Sequence, residues 1–65
     1  MNDKQAKVKI ESWRWRIAKA GMTQGEFALK AGVQRSHLSR YINFRKNPSA
    51  ITFTRIETLL KELKV

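Results

Sequence analysis

The 65 residues of this chain allow one small domain with a thin core, because a chain of this length buries only about 60% of the surface that its unfolded form exposes. The hydrophobic fraction of 42% is too high for a disordered tail, and the lack of cysteine excludes disulfides and thiolate metal sites. Fourteen Lys and Arg residues against five acidic residues give a net charge of +9, which attracts polyanions such as nucleic acid or an anionic membrane surface.

The first predicted helix runs from Asp3 to Ala20, with Asp3 as its N-cap and Gly21 as its stop. Its apolar residues follow the 3-4-3 spacing of one helix face: Ile10, Trp13, Ile17 and Ala20. Trp15 lies about 200° around the helix from Trp13, so only one of the two rings, that of Trp13, is expected in the core.

A capping box predicts the start of the second helix, because the Thr23 hydroxyl and the Glu26 carboxylate are spaced to bond each other's backbone amides. The inner face of this helix is expected to carry Phe27, Ala28 and Ala31. Gly32 is expected to end it with a positive φ, which glycine adopts without Cβ strain. A third helix is predicted from about Arg35 to Ile42.

A basic loop follows at residues 44–49, and the last predicted helix covers Phe53 to Leu63 with Thr52 as its N-cap. Residues 49–51 fit either a turn or an early helical turn that leads into this helix. Its apolar side would consist of Phe53, Ile56, Leu59, Leu60 and Leu63. Since no segment has the pattern of a strand, the sequence predicts an all-α fold, a small bundle of four to five helices.

The third predicted helix has two different sides. At about 100° per residue, one side is polar and cationic and the other apolar. The polar side carries Arg35, Ser36, Ser39, Arg40 and Asn43, and the apolar side carries Leu38, Tyr41 and Ile42. A solvated surface helix usually mixes acidic residues into its polar side, whereas this side has none. It is therefore suited to the donors and acceptors of the DNA major groove.

Residues 10–63 resemble the helix-turn-helix domain of the Cro and phage-repressor family. The matching positions are Thr23-Gln24, Ala28, Gly32-Val33, Arg35-Ser36, Leu38-Ser39-Arg40 and Asn47-Pro48. The resemblance implies a lambda-repressor-like DNA-binding domain over residues 1–65, with the helix-turn-helix at about 24–43 and a recognition helix at about 35–42.

The resemblance also implies which residues contact DNA. Base edges would be read by Gln34, Arg35, Ser36 and Arg40. The DNA backbone would be contacted by Gln24, His37, Ser39, Asn43, Arg45 and Lys46. Gln24 corresponds to the glutamine that clamps a phosphate in this family.

Two positions depart from the family pattern. Many members pair an arginine of the first helix with a glutamate late in the third, whereas the corresponding residues here are Ile17 and Ile42. We expect these to pack as an apolar pair, a replacement that proteins often tolerate. The segment between Pro48 and the last helix is also about three residues longer than the pattern implies.

We therefore expect a Cro-like repressor of phage or prophage origin that occupies a near-palindromic operator as a weak or DNA-induced homodimer. An autoregulating antitoxin or a restriction-modification controller would have the same sequence features. A cationic membrane-active helical protein is a further alternative, but it would not need Ala28 or Gly32. The sequence has no obvious catalytic pair, so we expect no enzyme activity and no cofactor, metal or small-molecule ligand. It also has no apolar run long enough to span a membrane, so we expect a cytoplasmic, nucleoid-associated protein.

Overall fold

The computed structural model describes residues 3–65, with side chains from residue 4 onward, and shows an all-α fold. Four helices follow one another: α1 (Asp3–Lys19), α2 (Gln24–Ala31), α3 (Arg35–Ile42) and α4 (Ala50–Glu62). No strand occurs among these residues. The expected N-cap role of the Asp3 side chain lies outside the described residues.

The ends of α2 are formed as the sequence predicts. Thr23 Oγ1 accepts from the Glu26 amide, and the Glu26 carboxylate accepts from the Thr23 amide, both at 3.1 Å. Gly32 follows the helix with φ 74°, and the Val33 amide donates to the Ala28 carbonyl at 2.9 Å. This left-handed glycine cap turns the chain within three residues and so directs α3 away from α2.

The start of α4 differs from the prediction. The N-cap is Ser49, whose Oγ accepts from the Thr52 amide at 3.2 Å, so the assignment of Thr52 as the cap is wrong. Residues 50–52 form the first helical turn, which decides between the two alternatives for this segment. The expected extra loop after Pro48 is therefore absent, because its residues belong to α4.

The core consists of apolar residues from all four helices. Its buried members are Ile10, Trp13, Ile17, Phe27, Ala28, Leu38, Tyr41, Ile42, Ile56, Leu59 and Leu60. Trp13 is fully buried, with its ring centroid 5.4 Å from that of Phe53, whereas Trp15 is 57% exposed. Ile17 and Ile42 both lie in this core, as expected where the family has an ion pair.

An ion pair that the sequence does not suggest joins α1 to α4. Arg16 Nη1 lies 3.1 Å from Glu57 Oε2, and the other carboxylate oxygen of Glu57 accepts from Trp13 Nε1 at 3.4 Å. Both charged side chains are largely shielded from solvent, with exposures of 15% and 12%. Arg16 and Glu57 are therefore charge-compensated within the domain.

Candidate nucleic-acid interface

The two sides of α3 are separated as the helical spacing predicts. Leu38, Tyr41 and Ile42 are buried against the core. The opposite side is open to solvent and carries the exposed residues Arg35, Ser36, Arg40 and Asn43, with Ser39 half-buried between them. The apolar side of α3 packs on the core, and its polar and cationic side is therefore exposed to solvent.

The side chain of Arg35 crosses the first turn of α2. A Cβ placed on Gly25 would lie 3.4 Å from Arg35 Cδ and 3.6 Å from its Nε, which is ordinary van der Waals contact. The arginine therefore lies closely over a helix position that has no side chain. Residues larger than alanine at position 25 would project into the space that Arg35 occupies.

Two glutamines stand at the beginnings of the helices of the motif. Gln24 is the first residue of α2, where the helix dipole and free amides favour a phosphate. Gln34 is the N-cap of α3, and its side chain makes no capping hydrogen bond. The Gln34 amide group is exposed beside Arg35 and Ser36.

The basic loop is anchored to the end of α3. The Arg45 amide donates to the Arg40 carbonyl at 2.8 Å, and Phe44 adopts φ 58° to allow this reversal. Arg45 and Lys46 are both exposed. Two cationic side chains are therefore held next to the last turn of α3.

His37 and Asn43 are placed differently from the other predicted contact residues. His37 is half-buried, with its ring centroid 6.4 Å from that of Tyr41. The Asn43 amide is engaged within the protein, because its Oδ1 accepts from Arg14 Nη2 at 3.1 Å and its Nδ2 donates to the Ser39 carbonyl at 2.9 Å. Arg14 thus reaches the open side of α3, a position that its local sequence does not predict.

Positive charge predominates on α3 and in the basic loop. No acidic residue occurs between Glu26 and Glu57, a stretch that contains all of α3 and the basic loop. Glu26 is engaged in the capping box, and Glu57 is paired with Arg16 on α4's side of the domain. This local excess of cationic side chains favours binding to a polyanion.

Comparison with known proteins agrees with this geometry. A helix-turn-helix family model matches residues 14–63, which include all of α2, α3 and α4 and the last six residues of α1. The chain belongs to the helix-turn-helix family and is a DNA-binding domain of the lambda-repressor and Cro-like type. No curated protein and no solved structure was found to match it.

None of the helices in residues 3–65 is both long enough and apolar enough to cross a membrane. The longest, α1, has 17 residues and carries charged side chains along most of its length.

Proposed function

We propose that this domain is a sequence-specific transcriptional regulator whose α3 enters the major groove of its operator. The observation that carries the proposal is the open side of α3, which is polar and cationic without an acidic residue. An α-helix with its side chains is about 10–12 Å across, which matches the width of the major groove, about 12 Å. The helix therefore fits the groove with its apolar side toward the protein.

The proposed contacts divide by position. Gln34, Arg35 and Ser36 read base edges, because the N-terminal part of a recognition helix lies deepest in the groove. Arg40, which lies on the same open side of α3, is the fourth base-reading residue of the proposal. Gln24, His37, Ser39, Asn43, Arg45 and Lys46 form the set directed at the DNA backbone. Two observations support members of this second set. Gln24 lies at the N-terminus of α2, and the loop that carries Arg45 is hydrogen-bonded to the end of α3.

As a regulator, the domain would act as a Cro-like repressor that blocks polymerase by occupying the operator. The exposed, polar and cationic side of α3 supports operator occupancy as its mode of action. An antitoxin that represses its own operon would use the same surface in the same way.

Two copies are proposed to bind a near-palindromic operator, with recognition helices about 34 Å apart. Since the domain has little surface for a strong dimer, the dimer should be weak or DNA-induced. Sedimentation should show monomers at micromolar concentration and two chains on the operator. A tight dimer without DNA would contradict this part of the proposal.

The deciding experiment begins with selection of bound duplexes from a random pool, followed by a base-by-base binding profile. Arg35→Ala and Arg40→Ala should each lower specific affinity by about 1–3 kcal/mol and relax the preference at one guanine, because arginine binds the two acceptors of guanine with its planar fork. Lys46→Ala is the control and should weaken all duplexes equally. Uniform losses with unchanged base preferences in both arginine variants would contradict base reading by these residues.

A further inference from the structure

We propose that the DNA interface extends beyond the helix-turn-helix onto α1, where Arg14 binds a backbone phosphate and Asn43 positions its guanidinium. This inference rests on the proposed function, since it assumes that the open side of α3 faces the major groove. In this arrangement Arg14, and not Asn43, contacts the phosphate at the C-terminal end of α3.

The hydrogen bonds around Asn43 place the guanidinium. Asn43 follows the last turn of α3 on the same side as Ser36 and Ser39. Its Nδ2 donates to the Ser39 carbonyl at 2.9 Å, which orients the side-chain amide, and its Oδ1 then accepts from Arg14 Nη2 at 3.1 Å. Both partners of the second bond are exposed, so the guanidinium lies at the surface beside the open side of α3.

The position of Asn43 in the helix indicates what Arg14 would meet. With the N-terminal residues of α3 at the base edges, a helix of about 12 Å has its other end near the groove edge, where phosphates lie. Asn43 has already engaged its side-chain oxygen and nitrogen within the protein. Arginine has five N–H donors, and the bond to Asn43 uses one of them.

The charge of Arg14 is uncompensated, in contrast to that of Arg16 on the same helix. Arg16 is paired with Glu57 at 3.1 Å. Glu11 precedes Arg14 by three residues, a spacing that permits a helical ion pair, but among residues 4–65 no carboxylate lies within 4.0 Å of Arg14. Arg14 therefore presents a full positive charge that a phosphate would neutralise.

The alternative is a purely structural role, in which Arg14 only stabilises the negative end of the α3 dipole. The two roles differ in the salt dependence of DNA affinity. A phosphate contact contributes about 0.9 to the slope of log K against log salt, whereas a structural contact contributes nothing. From about 50 to about 200 mM salt, the affinity gap between wild type and Arg14→Ala should therefore narrow by about 3.5-fold.

The control variant is Lys9→Ala, because Lys9 is also exposed on α1 but lies about 140° around the helix from Arg14. Affinities are measured for the selected operator and for an unrelated duplex at several salt concentrations. Arg14→Ala should weaken binding to both duplexes by the same factor and make the slope shallower by about one unit. Lys9→Ala should leave the affinity for each duplex and the slope of log K against log salt at their wild-type values.

A second comparison tests the positioning role of Asn43. Asn43→Ala should weaken binding less than Arg14→Ala, and the double variant should bind no more weakly than Arg14→Ala alone, because Asn43 acts through Arg14. Additive losses would show that Asn43 contacts DNA itself and would overturn its positioning role.

The outcomes separate this inference from the proposed function. If wild type selects an operator but Arg14→Ala keeps the wild-type slope while its unfolding midpoint falls, the inference is wrong and the proposed function stands. If wild type shows no sequence preference among duplexes, the proposed function itself fails.

Discussion

Three glycines of the chain offer a matched test of the turn geometry, since the same substitution should have opposite effects on stability. Gly21 and Gly32 have φ values of 75° and 74°, in the left-handed region, whereas Gly25 lies within α2. Space does not limit any of the three. A Cβ would meet nothing within 4 Å at Gly21, an Arg55 nitrogen at 3.9 Å at Gly32, and Arg35 at 3.4 Å at Gly25.

The magnitudes follow from backbone conformation. Alanine in the left-handed region costs about 1–2 kcal/mol, and the stiffer unfolded chain returns about 0.4–1 kcal/mol, so Gly21→Ala and Gly32→Ala should each destabilise the domain by about 1 kcal/mol. Gly25→Ala should stabilise it by about 0.5–1 kcal/mol, because alanine suits a helix better than glycine.

The assay is urea unfolding followed by helical circular dichroism, with thermal unfolding as a second measure. One kcal/mol corresponds to a shift of about 4–8 °C in Tm for a domain of this size. Gly25→Ala should also keep its operator preference, since its Cβ only touches Arg35. Loss of stability in Gly25→Ala, or wild-type stability in both Gly21→Ala and Gly32→Ala, would contradict the link between these backbone conformations and stability.

Three further predictions concern the core, the last helix cap and the ion pair. Ile17→Ala and Ile42→Ala should each cost about 2–4 kcal/mol in chemical unfolding. Strict additivity in the double variant would contradict contact between the two side chains. Ser49→Ala should lower the unfolding free energy by about 1 kcal/mol through loss of the N-cap, and an equal loss in Thr52→Ala alone would argue against this cap. Glu57→Ala should cost about 1–3 kcal/mol in the same assay, because Trp13 Nε1 loses its acceptor and the shielded Arg16 loses its carboxylate partner. Glu57→Gln should cost less, since its single amide oxygen can still accept from one of these two groups.

Much of the candidate surface could be predicted from local sequence. The bounds of α3, the capping box at Thr23 and the positive φ of Gly32 all agree with the structure, because each depends on residues within one helical turn of one another. The apolar side of α3 was equally predictable, since a 3.6-residue period assigns its faces before any partner is known.

The start of α4 was not predictable in this way. Ser49 and Thr52 both offer a capping hydroxyl, so local signals allow a helix that begins after either residue. The structure selects Ser49, and Phe53 and Ile56 then pack on the core from the second turn of a longer helix. Ala50 and Ile51 in the added turn are exposed, so the hydrogen bond from the Thr52 amide to Ser49 Oγ, and not a core contact, marks the observed start.

The helical class, the two different sides of α3 and the excess of positive charge can be predicted without a structure, because composition and helical periodicity are properties of the chain alone. Which of the charged side chains stay unpaired at the surface depends on how the helices pack. Arg14 and Asn43 are 29 positions apart, and Arg16 and Glu57 are 41 apart, so each pair meets only when the helices pack. Arg14 and Arg16 are neighbours on α1 but have different environments. Arg14 is exposed and bonded to Asn43 at the end of α3, whereas Arg16 is paired with Glu57 of α4.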